Sequence, residues 1–249
     1  MRVTTQRLMM GAAIAQLCCV AMAQEITRSA TVSLNSIVEA VEKTQAGART
    51  QPSYQVIRQY RLFGANDSQA DSEVLAEVDF RPPANKNYRI QQSSGSNRGQ
   101  QIVRRVLDHE VEATSSGNRG KATINRDNYD FTYMGEVILE GQPCYRLGLK
   151  PKRKEKDLIT GEALVDKRSF LVRQIEGEVA RTSSWWLKKV RVKLVFGYIE
   201  GTWLQTDMAA VADVRIVGPH TLTSRVLDYR SADEVASTKS RMPAPDRKN

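Results

Sequence analysis

The chain has 249 residues, 41% of them hydrophobic and 26% charged, with a formal net charge of +9 at pH 7. This composition supports one substantial core and excludes a chain disordered along its whole length. No nucleic-acid motif accompanies the basic balance, and GxSxG, HExxH, P-loop and CxxC patterns are absent, so nucleic acid is excluded as a partner and no catalytic residue, metal or cofactor is expected.

The start reads as an export signal. Arg2 and Arg7 form a positive region, an apolar run from Leu8 to Val20 follows, and Ala21-Met22-Ala23 has the small-x-small form of a cleavage site. Residues 1–23 are therefore expected to be a signal peptide that sends the protein to the periplasm. The apolar run is too short for a membrane span and Gln16 interrupts it. Loss of Arg2 and Arg7 lowers the charge from +9 to +7, and loss of Cys18 and Cys19 leaves Cys144 alone. No internal disulfide is then available, and the core must hold the fold.

Residues 33–45 read as a helix, because Leu34, Ile37, Val38 and Val41 recur at helical spacing. Ser36 and Glu39 have the spacing of a capping box. After Pro52 the period becomes two. Tyr54, Val56, Tyr60 and Leu62 share one strand face, with Arg58 the exception, and Val74, Ala76, Val78 and Phe80 share another. Residues 88–91 form a short third strand. A helix is predicted over 100–113, from Val103, Val106 and Leu107, and a mobile loop over 114–128. Strands then follow at 129–139, 145–150, 163–166, 170–176, 187–198, 203–214 and 220–229. Val190, Val192, Leu194 and Phe196 against Lys189, Arg191 and Lys193 make the clearest alternation. Residues 24–230 form one domain, and 231–249, charged and without periodicity, read as a disordered tail.

The run Gly141-Gln142-Pro143-Cys144-Tyr145-Arg146-Leu147, then Leu149-Lys150-Pro151-Lys152, is followed by Gly161, Val165-Asp166, Phe170, Val172 and Glu176. This resembles the G-x-x-cYxLxLxPK, loop, G-x-x-x-VD pattern of the periplasmic lipoprotein-carrier superfamily. That group includes the LolA and LolB carriers and the N-terminal domain of RseB-type sigma-factor regulators. The order of elements resembles the superfamily over roughly residues 30–230, and the residue pattern over about 141–205. The resemblance implies an α+β fold that is mainly antiparallel: a strongly curved, unclosed half β-barrel of 10–11 strands, with helices covering an apolar concave face that accepts acyl chains.

On that reading Tyr54, Val56, Tyr60, Val78, Phe80, Tyr145, Leu147, Val192, Leu194 and Phe196 line the concavity and take a lipid or a lipoprotein acyl chain. The alternative is a regulatory or scaffold module. It would dock on an envelope protein or an anionic membrane surface through Lys150, Lys152, Arg153, Lys154 and Lys156, with Trp185 and Trp186. Neither the basic loop nor the tryptophan pair matches a functional position of the superfamily. His109 and Glu112 share a helix face, but no second histidine is near, so a metal site is not expected.

Overall fold

The computed structural model describes residues 32–47, 52–64, 68–115, 117–118, 120–182, 187–215, 218–232 and 234. Residues 1–23, Trp185, Trp186 and the tail beyond 234 lie outside the described residues. The elements are α1 (Leu34–Gly47), β1 (Tyr54–Phe63), β2 (Ser72–Arg81), β3 (Asn85–Gly95), α2 (Asn97–Thr114), β4 (Tyr129–Leu139), β5 (Gln142–Pro151), β6 (Ile159–Asp166), β7 (Val172–Val179), β8 (Leu187–Ile199), β9 (Thr202–Val214) and β10 (Gly218–Ser231).

The ten strands form one antiparallel sheet in the order β3-β2-β1-β10-β9-β8-β7-β6-β5-β4. Every neighbour is joined by a hairpin or short connection except β1 and β10, which pair from Tyr54↔Ser231 to Phe63↔Thr221. β3 and β4 are the two ends, so the sheet is not closed. The chain passes from one end to the other through α2 and residues 115–128.

Both helices bury their apolar stripes on one face of the sheet, here the inner face. Ile37, Val38 and Val41 of α1 pack with Tyr145, Leu147, Leu149, Ala163 and Val165. Val103 and Leu107 of α2 pack with Val56, Tyr60, Val74, Ala76 and Val78. The molecule therefore has two cores, one towards each end of the sheet. The second half of α2 also reaches the β5–β6 loop, where His109 Nε2 lies 2.7 Å from Asp157 Oδ1 and Lys156 Nζ lies 3.3 Å from Glu112 Oε2. These contacts join a helix resting on β1–β3 to a loop near the other end of the sheet.

Several local expectations are corrected. Ser33, not Ser36, caps α1: its Oγ accepts from Ser36 N at 3.1 Å and its carbonyl from Ile37 N. The third strand extends over Asn85–Gly95, well past its short apolar centre, because ladder pairing with β2 supports a polar edge. Phe170 precedes β7 and has φ 57°, because the turn after β6 closes on Asp166. Residues 120–128 are tied down: Ile124 is buried, and Arg126 pairs with Glu42 at 2.7 Å. Asn128 Nδ2 donates to Gly120 O and Thr123 O.

The Asp166 turn yields a test. Its Oδ1 accepts from Arg168 N, Ser169 N and Ser169 Oγ at 3.0, 2.8 and 2.9 Å. Burial would raise this carboxyl. The Ser169 and Arg168 donors, with the Arg173 charge, outweigh it and hold the carboxyl below its ordinary 3.8. The stabilisation is present above the unfolded value and disappears as pH falls through the lower folded one. Asp166→Ala is expected to cost about 1–2 kcal/mol at pH 7 by urea unfolding, with the difference from wild type shrinking in acid.

Candidate ligand-binding face

Sheet register places the inward side chains in rows. One runs Val74, Tyr60, Ser224, Met208, Leu194, Ile175, Ala163, Leu147 and Tyr133 across nine strands. The next runs Leu62, Leu222, Ala210, Val192, Gly177, Gly161, Leu149 and Phe131. Apolar side chains dominate both, so the inner face is greasy from one end to the other.

The helices divide it unevenly. Val56, Tyr60 and Val78 are buried in the core beside α2, where Tyr54 packs between a tilted Phe80 ring and a stacked Tyr229 ring, with centroids 5.2 and 6.0 Å away. Tyr145 and Leu147 are buried in the core beside α1. Val190, Val192 and Leu194 belong to neither core and stay half-buried. Phe196 is also half-buried, just past a register break at Val195/Phe196. The ten residues expected to line one concavity thus fall into three groups, and the β8 strip lies between the other two.

A polar cluster was missed by the apolar reading. Arg58 occupies an inward position of β1 and is 5% exposed. Its Nη2 donates to Gln205 O at 2.6 Å. Register explains the reach: β9 and β10 pair only as far as Asp207↔Arg225, which leaves the Gln205 carbonyl free on that side. Nearby, Lys86 Nζ donates to Glu110 Oε2 at 2.7 Å and Tyr60 Oη donates to Glu110 Oε1 at 3.2 Å. Burial would raise the Glu110 carboxyl; the charges of Lys86 and Arg58 and these two hydrogen bonds hold it below its ordinary value. Burial pushes the Tyr54 phenol up to about 12, and pushes Tyr60 higher still with help from the Glu110 charge. The signal for this cluster was Arg58 itself, a cation in an otherwise apolar alternation.

The basic loop makes contacts within its own fold. Arg153 Nη2 donates to Asn128 Oδ1 at 2.6 Å, Lys152 Nζ to Arg126 O at 2.5 Å, and Lys156 pairs with Glu112. Lys150 and Lys154 face solvent. A pocket of about 430 Å³ is lined by Arg61, Lys193, Asp207 and Arg225 together with Phe63, Val195 and Met208, a mixed polar and apolar lining. Cys144 is fully buried, and that burial raises its thiol, as expected of a small strand residue. Among the described residues no group of three or more His, Cys, Asp and Glu converges on a metal-sized site, and no helix is long and apolar enough to cross a membrane.

No protein-family model and no curated protein matches this chain. Solved structures do. A DUF1329 family protein from Desulfovibrio piger is 16% identical at a TM-score of 0.42, covering 80% of this chain and 93% of its own. A LolA superfamily protein from Nitrosomonas europaea is 15% identical at 0.41, covering 81% and 94%. The Mycobacterium tuberculosis lipoprotein LppX is 10% identical at 0.24, covering 79% and 96%. The Nitrosomonas europaea protein bears the name of the superfamily whose pattern residues 141–176 resemble.

Proposed function

We propose that this chain is an exported, periplasmic binding protein that carries or senses the acyl part of a lipid or lipoprotein on the inner face of its sheet. In this reading residues 24–230 form the binding domain, and α1 and α2 cover the concave side of a half-barrel. The observation that carries it is the β8 strip. Val190, Val192 and Leu194 continue the apolar rows of the two buried cores, yet belong to neither and stay only half-buried. Apolar surface that remains exposed between two cores gains about 25 cal/mol per Å² when an alkyl chain removes it from water. A sheet open at both ends allows a chain to slide in without unfolding the cores.

The basic-loop reading has less support. Arg153, Lys152 and Lys156 each make contacts within the fold, and Lys150 and Lys154 face solvent without such contacts among the described residues.

The test is titration of the full chain with an environment-sensitive acyl probe. Leu194→Asp sets a carboxylate in the strip and is expected to weaken binding tenfold or more, as roughly 1.4 kcal/mol per decade requires. Because Leu194 is half-buried, stability should change by only about 1 kcal/mol. Unaltered probe affinity in a folded Leu194→Asp protein contradicts the proposal.

A further inference from the structure

We infer that Arg58 and Ser224 form a buried seat for the carboxylate head of a long-chain amphiphile whose tail lies along the β8 strip, an inference that rests on the acyl-binding reading above. Arg58 is 5% exposed, and its Nε has no hydrogen-bond partner. Its partners are neutral: Nη2 donates to Gln205 O, and the guanidinium also hydrogen-bonds the Tyr60 phenol. Among the described residues no carboxylate lies within 4.0 Å of its nitrogens. Glu110, whose carboxyl feels the guanidinium, is committed to Lys86 at 2.7 Å and to Tyr60. The cluster therefore holds two cations, Arg58 and Lys86, against one anion. A guanidinium cannot shed its proton to escape burial, so an unpaired one is costly until an anion arrives.

Ser224 supplies the second donor. It is 3% exposed, and its Oγ has no partner. Tyr60 stands directly opposite it and Arg58 opposite Val226, so Arg58 and Ser224 are diagonal neighbours on one face, roughly 7–8 Å apart at Cβ. Two unused donors, one charged, match the two oxygens of one carboxylate: one oxygen accepts from Nε–H and the other from Oγ–H. A phosphate would bring further oxygens for which this seat offers no donor. Ser224 pairs with Met208 and Met208 with Leu194, so the row leads from the seat to the strip across two strand spacings, roughly 10 Å. The head thus enters from the half-buried β8 side, parting the side chains that now close over Arg58.

The experiment compares a fluorescent long-chain polyene carboxylate with its uncharged methyl ester on the delipidated full chain. The carboxylate is expected to bind about tenfold tighter, the scale of one charge-assisted hydrogen-bonded pair. Arg58→Gln should abolish that preference while leaving ester affinity in place, and Ser224→Ala should reduce it a few-fold. Equal affinity of acid and ester for the wild-type protein overturns the seat and leaves the acyl-binding reading intact. A preference that persists in both variants also overturns it. Failure of both compounds to bind overturns both readings. The wild-type comparison needs no variant, so misfolding of Arg58→Gln does not weaken the test.

Discussion

Gly161→Val is expected to destabilise the protein by about 3 kcal/mol, read as a shift of the urea midpoint with an unchanged slope. Gly161 and Gly177 face each other across β6 and β7 on the inner face. A Cβ on Gly161 would stand 2.1 Å from Glu176 O and 2.6 Å from Gly177 Cα, and one on Gly177 would stand 2.3 Å from Thr160 O. All three are backbone atoms, so no rotamer relieves the overlap and the strands must separate. Glycine in a strand interior marks such a close approach, and it occurs beside Val192, where the rows pass from one core to the strip. Gly197→Ala in β8 is the control. Its Cβ would meet only Thr206 Cγ2, at 3.4 Å, and the midpoint should stay near wild type. A wild-type midpoint for Gly161→Val would show that the two strands do not approach as described.

Glu110→Ala is expected to cost a similar amount, about 3 kcal/mol, because it strips Lys86 of its paired anion and Tyr60 of its acceptor and removes the negative charge that Arg58 feels at longer range. Glu110→Gln should cost less, since an amide oxygen still accepts from the phenol. The pH dependence follows from the direction of the shift. Opposed by burial but held down by Lys86 and Arg58, the folded carboxyl titrates below its ordinary 4.5. Its contribution is thus complete above the unfolded value and is lost as pH falls through the folded one. The acid limb of the stability curve should therefore be shallower for Glu110→Gln than for wild type. Parallel acid limbs would mean that Glu110 carries no charge-dependent stability.

Much of the fold was legible in the sequence where one period ran unbroken. The α1 stripe of Leu34, Ile37, Val38 and Val41, the β2 alternation and the β8 alternation each gave the right element and the right face. Misreadings arose where local chemistry outweighed period. Ser33 and Ser36 both suit a cap, and only the backbone path decides between them. Phe170 looks like the first residue of a strand, but three donors on Asp166 bend the chain there into positive φ. Residues 120–128 lack periodicity because their order comes from side-chain bonds to distant groups, Arg126 to Glu42 and Asn128 to Arg153.

The candidate site divides along the same line. Apolar alternation located the inner face but could not show which residues the helices would cover, because that depends on where α1 and α2 land rather than on the strands. Val56 and Leu194 have the same strand signature, yet one is sealed in a core and the other half-open. Arg58 was visible as an exception to its pattern. Its meaning required the pairing that places it beside Ser224 and away from any free carboxylate.

If the β8 strip holds an acyl chain, native mass spectrometry of the protein purified from its own cell envelope will find a bound species of lipid or fatty-acid mass on the wild-type chain, lost from Leu194→Asp while the charge-state distribution of the folded protein is kept. A wild-type chain with no such adduct, or an equal adduct on folded Leu194→Asp, would contradict it.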